Sequence, residues 1–376
     1  MNTAAVEANI TLQLCMMQPI HALAATELSA VTNGRGTSDN SHGGAADLYA
    51  LGTSGLLLGA MGLWSSRDNV FTTAIEPGCV GNSTKSNCTS PDFRLQNVAA
   101  VLSGGPYGPS DGIGYFNPEL IARSCRSDGV LLKSDVPLAV TDFAFAATFD
   151  NPREMVHVWA SHSDIARNAN GGNGDPAPQA TDASLRWIYL LSVNILSNLE
   201  MSLTDLDASP GQDYMLLDFW ANNGSTPTAS SVTRVGAKGG GAFTVPTSPP
   251  QAAVKGGSDA GTYQVLAPVL QNGWCLLGEA AKIVAVSSRR VLSLKGSALG
   301  DLSASSAVEA VLLLANDEKV ELWFLAPAST RQDAPEFELI QASCPPHSCR
   351  GEDCDVKVKV TCGNGGGADD CTCVAM

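Results

Sequence analysis

Apolar residues alternate with polar or small ones over Ile10-Thr11-Leu12-Gln13-Leu14-Cys15-Met16, a two-residue period that predicts a strand. Ala22 to Leu28 reads as a short helix, Ala30 to Asn33 as a second short strand, and Ala45 to Gly62 as a longer helix feeding a turn at Trp64. Ser90-Pro91-Asp92 offers a hydroxyl cap, a proline at the first helical position and an acid in the first turn. It predicts a helix carrying Phe93, Leu95, Val98, Val101 and Leu102. Asn117-Pro118-Glu119 repeats that signal ahead of Leu120 to Ser124. Between the two, Gly104-Gly105-Pro106-Tyr107-Gly108-Pro109-Ser110-Asp111 holds too many breakers for a helix and reads as a short strand ending in a loop. Repeated strand-to-helix units with polar residues at the strand ends predict a parallel α/β sheet or barrel over residues 1–134.

The texture changes after about residue 135. Pro137 to Phe145, Met155 to Ser161, Trp187 to Val193, Tyr214 to Trp220 and Tyr263 to Leu270 are short β-rich runs. Trp274 to Leu277, Lys282 to Val286, Val308 to Leu314 and Val320 to Leu325 continue the series, with turn residues between them. Residues 135–345 are therefore expected to form an antiparallel β-sandwich, with Asn168 to Asp182 and Gly236 to Gly257 as exposed loops. Residues 346–376 are left as a Cys-rich tail.

Composition narrows the partners. The chain has 376 residues and a net charge of −15 with no basic cluster, which argues against a nucleic-acid partner. Mean hydropathy is +0.05, and no apolar run is long enough for a membrane span; Ala50 to Leu63 comes nearest. Met1 to Met17 lacks the basic start and continuous apolar centre of a signal peptide. Six of the eleven cysteines lie at positions 344, 349, 354, 362, 371 and 373, without a C-x-x-C pair, so a stapled tail is preferred to a zinc site. Their connectivity stays open. Cys79 and Cys88 bracket a short loop, and sequons stand at Asn9, Asn82, Asn87 and Asn223; both favour the secretory pathway over the cytoplasm. The five histidines have no ligand spacing, and G-x-S-x-G and P-loop motifs are absent, so no metal and no cofactor is expected. Oligomeric state is not legible.

The candidate chemistry lies in two polar turns, each just after an apolar run: Arg35-Gly36-Thr37-Ser38-Asp39 and Ser65-Ser66-Arg67-Asp68-Asn69-Val70-Phe71. A glycosidase needs one acid to protonate the leaving oxygen and neighbours to steady a sugar cation. The plainer reading of Asp68 and Asp111 is as turn or helix caps, and that of Trp64 is core packing rather than sugar stacking.

The order of motifs resembles the carboxyl-terminal part of the raffinose synthase and alkaline α-galactosidase family, retaining α-galactoside enzymes on a (β/α)8 barrel. Arg35 to Asp39 is similar to the family's Arg-x-Ser-Asp-Asp turn, with Thr37-Ser38 where the family has Ser-Asp. Asp68-Asn69-Val70-Phe71 resembles its Asp-Met-Phe turn with one residue added. Ser103 to Asp111 resembles its Gly-Gly-Pro…Ser-Asp element, Asn117 to Leu132 its helix and Asp-Gly-Ser-x-Leu run, and Met155 to Trp159 the entry to its terminal β-domain. The likeness covers roughly residues 10–160. It implies the C-terminal part of a (β/α)8 barrel followed by the sandwich, and an oligosaccharide or glycoside ligand. It places Asp39 as general acid/base and Asp68 as a supporting carboxylate, with Arg35, Trp64 and Asp111 binding substrate.

A retaining mechanism also needs a nucleophilic carboxylate about 5 Å from the acid. The family keeps it on an earlier strand, and residues 1–34 contain no Asp. The chain is therefore expected to be a fragment or degenerate form, inactive alone. The alternative is a non-catalytic carbohydrate-binding or structural β-sandwich protein.

Overall fold

The computed structural model describes residues 1–37, 45–74, 92–150, 157–167, 184–219, 227–236, 240–248, 261–296, 307–327, 337–348, 355–363 and 371–376. The amino-terminal part contains α1 (Asn2–Glu7), β1 (Leu12–Leu14), α2 (Pro19–Ala25), β2 (Val31–Arg35), α3 (Ala45–Ala60) and β3 (Trp64–Ser66). It continues with α4 (Phe93–Leu102), α5 (Pro118–Ala122), β4 (Ala139–Val140) and α6 (Asp142–Asp150). Strands then dominate: β5 (His157–Ala166), β6 (Ser184–Val193), β7 (Leu199–Ser202), β8 (Tyr214–Asp218), β9 (Val232–Val235), β10 (Ala242–Val245) and β11 (Gly261–Pro268). The last are β12 (Cys275–Gly278), β13 (Val291–Gly296), β14 (Ala307–Leu314), β15 (Val320–Pro327), β16 (Phe337–Cys344), β17 (Val356–Gly363) and β18 (Cys371–Ala375).

Among the described residues strand far outweighs helix, a mostly β protein with several sheets, and this overturns the expectation of a (β/α)8 barrel portion. The physical reason lies in the short runs. Among the described residues β1, β2 and β3 form an all-parallel sheet, in that order, and β13 meets β5 in parallel at Ser293 and Ala166 within the large sheet. The Gly/Pro-rich segment after α4 adds isolated parallel bridges, Ser65 to Gly104 and Val70 to Pro109, instead of a further strand. The Asn117 signal works as read, with the Asn117 side chain accepting from the Leu120 N–H at 3.1 Å, but the helix it starts is five residues long. Good caps thus yield short helices here, and the parallel sheet stays open.

The large sheet has ten strands in the order β18-β17-β14-β13-β5-β6-β11-β8-β9, with β4 added on β5. Its longest pairing, β5 with β6, is antiparallel from His157 opposite Val193 to Ala166 opposite Ser184. The three-stranded sheet β12-β15-β16 shares the same apolar core, in which Trp274 meets Phe324 edge-on at 6.4 Å. In β14 every second residue is buried, the period-two pattern of a sheet with one covered face. The last strands, β17 and β18, join the large sheet beside β14. Cys344–Cys373 ties β16 to β18, and Cys362–Cys371 closes the β17–β18 pair; such bridges persist in oxidising compartments. Cys79, Cys88, Cys349 and Cys354 lie outside the described residues.

Two local expectations also give way. Pro137 to Phe145 is a strand only at Ala139–Val140, and the chain turns at Thr141 into α6, with the Thr141 hydroxyl accepting from the Ala144 N–H. Lys282 to Val286 is not a strand, although Ile283 to Val286 is buried. Its carbonyls accept from tyrosine hydroxyls instead, Tyr263 to Ile283 O and Tyr189 to Val286 O, each at 2.5 Å.

Among the described residues the parallel unit is anchored to the β region by several contacts. A Cβ at Gly55 of α3 would lie 2.0 Å from the Leu138 carbonyl, so only glycine permits that approach. Helix α4 is buried from Leu95 to Leu102 and belongs to the same core as the large sheet. Finally, Lys282 Nζ donates to the Ala122 and Cys125 carbonyls at 2.8 and 2.6 Å, and Arg126 meets Asp355 at 2.5 Å.

Candidate functional site

Parallel pairing sets the carboxyl ends of β2 and β3 side by side, because Asn33 faces Trp64 and Arg35 faces Ser66. The two polar turns leave the sheet together at that edge and are stitched to each other. The Gly36 N–H donates to Ser66 O at 2.9 Å, and the Asp68 N–H donates to Thr37 Oγ1 at 3.2 Å. Arg35, only 6% exposed, sends Nη1 to within 2.5 Å of Asp68 Oδ1. The Asp68 side chain is 29% exposed while Arg35 holds its carboxylate. Arg67, 4% exposed, is buried beside them in the chain.

Asp111 reaches the same edge through the Val70–Pro109 bridge. It is 6% exposed and already occupied: the Thr72 N–H donates to Oδ1 and Oδ2 at 2.9 and 3.0 Å, and the Thr72 hydroxyl to Oδ2 at 2.8 Å. The Thr73 N–H and hydroxyl donate to Oδ1 at 3.1 and 3.0 Å. Thr72 Oγ1 in turn accepts from the Asn117 N–H at 2.8 Å. Asp111 is thus a clasp that fixes the 70–73 and 110–117 turns to each other, with little acceptor capacity left for a ligand. The threonine doublet Thr72-Thr73 was not singled out in the sequence, since two hydroxyls in a polar turn carry no periodic signal.

Trp64 stands at the amino end of β3, away from this edge. Lys133 Nζ lies 3.5 Å from its ring centroid, a close cation–π contact, and donates to Gly104 O at 3.2 Å. A Cβ on Gly104 would come 2.1 Å from the ring, so glycine backbone packs closely there. Burial, and then Arg289, pull Lys133 down to about 8 against the opposing pull of Asp135. Trp64 also lines a cleft of about 690 Å³ between α3 and β5, together with Asp135, Pro137 and His162. The structure therefore brings Arg35, Asp68 and Asp111 to one edge and leaves Trp64 at the other end of its strand, one ring face covered by Lys133. Asp39 lies outside the described residues.

What the edge can do follows from the partners. A carboxylate held by a guanidinium accepts hydrogen bonds from hydroxyl groups. Among the described residues no group of three His, Cys, Asp or Glu is placed to hold a metal ion, and no helix is long and apolar enough to cross a membrane. No family model and no curated protein matches the chain. The family likeness therefore rests on the motif residues alone.

Proposed function

We propose that this chain is a carbohydrate-binding protein that engages a glycoside at the edge formed by Arg35 and Asp68, and that it does not hydrolyse the ligand by itself. The observation that carries the reading is the Arg35–Asp68 pair at the joined carboxyl ends of two parallel strands, with the Asp68 side chain 29% exposed. A paired carboxylate beside a fixed guanidinium suits vicinal sugar hydroxyls, which donate to one and accept from the other. The absence of turnover follows from how the acids are used. Asp68 is held by Arg35, and Asp111 is held by Thr72 and Thr73, so neither is placed as a free nucleophile. Asp39, four positions after Arg35 in the sequence, is the residue that the likeness matches to the general acid. The cystine bridges in β16 to β18 support a secretory location for this activity.

Isothermal titration with melibiose and raffinose, alongside an aryl α-galactoside hydrolysis assay, tests the reading. Saturable binding without product release is expected, weakened roughly tenfold or more in Asp68→Asn and in Arg35→Met, since each loses a charge-assisted hydrogen bond. Unchanged affinity in both variants, or no binding of any α-galactoside, refutes it. Asp39-dependent release of galactose would refute the non-catalytic half.

A further inference from the structure

A second cleft, of about 740 Å³, opens at the far end of the large sheet, where β5 ends and β6 begins. Its size is that of a small-molecule site. Three arginines line it, Arg167, Arg186 and Arg234, and their partners differ. Arg186 is committed: Nε and Nη2 grip Asp164 at 2.9 and 3.0 Å, and Nη1 donates to Asp207 O at 3.0 Å. Arg234 pairs with Asp213 at 2.8 Å. Arg167 has no carboxylate partner among the described residues. Its Nη2 reaches Gln212 Oε1 at 3.3 Å, and its Nε is buried with no hydrogen-bond partner among the described residues.

Gln212 is itself pinned, its amide nitrogen donating to Asp213 O at 3.0 Å and to Val269 O at 2.5 Å. The guanidinium is therefore held in place by a fixed neutral acceptor, and among the described residues no carboxylate pairs with it. A cationic fork with an unmet donor, at the wall of a polar cleft, has the chemistry of a receptor for a planar or tetrahedral oxyanion. One acid faces the same space without an ion pair among the described residues: Asp207, exposed, in a left-handed turn at φ 50°. A bare dianion is repelled by Asp207. A sugar acid is not, since it sets its anion on Arg167 and hydroxyl donors on Asp207.

We propose that this cleft is a second ligand site, separate from the Arg35–Asp68 edge, which takes an oxyanion-bearing saccharide unit, uronate or sulfated, on Arg167. Its oxyanion is shared with free sulfate, and the test separates the two sources. The full chain is titrated at low ionic strength with glucuronate, sodium sulfate and glucose, by calorimetry and by amide NMR. Glucuronate is expected to saturate one site and to bind more tightly than sulfate, while glucose does not bind there. Arg167→Gln should weaken glucuronate at least about tenfold and Arg167→Lys less. Asp68→Asn should leave this binding unchanged. Sulfate binding as tightly as glucuronate, with the same dependence on Arg167, would keep the oxyanion site and assign it to the free anion. Asp207→Asn, which keeps Arg167 in place, should tighten sulfate and so reads the site even where Arg167→Gln fails to fold. Glucose matching glucuronate, equal affinity in Arg167→Gln, or no saturable binding of either anion overturns the proposal.

Discussion

Replacing Arg290 by methionine should cost about 3–5 kcal/mol of stability, the usual loss when one partner of a buried ion pair is removed. The guanidinium is fully buried, and its Nε binds Glu279 at 2.8 Å. Its Nη1 and Nη2 bind the two oxygens of Glu318 at 2.7 Å each, and Nη1 also binds Leu313 O at 2.9 Å. Glu318 carries the coupling outward, accepting from the Ala315 N–H at 2.9 Å and from the Ser127 N–H at 3.0 Å. One side chain therefore joins the turn before β15, the turn after β12 and the 125–131 hairpin. Without it both glutamates keep their burial and lose their cation. Burial already raises Glu279 above the ordinary carboxylate range, against the pull of Arg290. Glu318 is held below that range by its bonds to Arg290, which outweigh burial.

The pH dependence gives a sign that simple loss of packing does not. In the native protein the Glu318 contribution is full above the unfolded carboxylate pKa and is lost as pH falls through its lower folded value. In Arg290→Met both acids should titrate upward, so the variant should regain stability as pH falls and show a larger deficit at pH 8 than at pH 5. Urea unfolding followed by tryptophan fluorescence at the two pH values reads the deficit. In a cooperative unit of 150–250 residues it amounts to roughly 6–20 °C in Tm. The triple variant Arg290→Met, Glu279→Leu, Glu318→Met should recover most of the loss. A deficit under about 1 kcal/mol, or one that grows toward pH 5, refutes the reasoning.

Other outcomes follow from the same contacts. Cys344→Ser opens the 29-residue link between β16 and β18 and should cost about 3.5 kcal/mol on the chain-entropy account, read by chemical denaturation with and without reductant. Asp111→Ala leaves the Thr72 and Thr73 donors unmet and should cost about 1–3 kcal/mol, with faster proteolysis in the 70–73 and 110–117 turns as the readout. Lys133 should titrate near pH 8, with a matching change in Trp64 emission that Lys133→Met abolishes. Because its folded pKa is depressed, its contribution makes the protein gain stability as pH rises from about 8 toward the unfolded lysine value, and a flat emission between pH 7 and 9 would sink this assignment.

Local signals were legible in the chain. The Asn117 cap, the Pro118 helix start and the β-rich run Val308 to Leu314 all depend on neighbours within about four residues. So do the turns that bring Arg35 and Asp68 to strand ends. Misread segments are those in which a distant partner decides. Lys282 to Val286 has strand-like composition, but tyrosines about 20 and 97 positions away take its carbonyls. The run through Phe145 is an exception with a local cause: it ends as helix α6 because the Thr141 hydroxyl, three residues away, accepts from the Ala144 N–H. The tail shows cysteines in its sequence but not their pairing, nor that Val356–Gly363 would lie along β14.

The site divides in the same way. Residue types and turn chemistry, read from the sequence alone, mark Arg35, Asp68 and Asp111 as polar groups at strand ends. Only the tertiary structure pairs Arg35 with Asp68 across 33 positions, spends Asp111 on Thr72 and Thr73, and sets Lys133 on the face of Trp64. The same holds for the parallel sheet. Strand-to-helix order is written locally, while closure into a barrel depends on how many strands find partners. Here the Gly/Pro-rich run after α4 supplies isolated bridges, and the following residues spend their burial against an antiparallel sheet. Capping and periodicity are short-range energies that one segment satisfies by itself; pairing, burial and charge compensation are settled only when segments far apart in sequence meet.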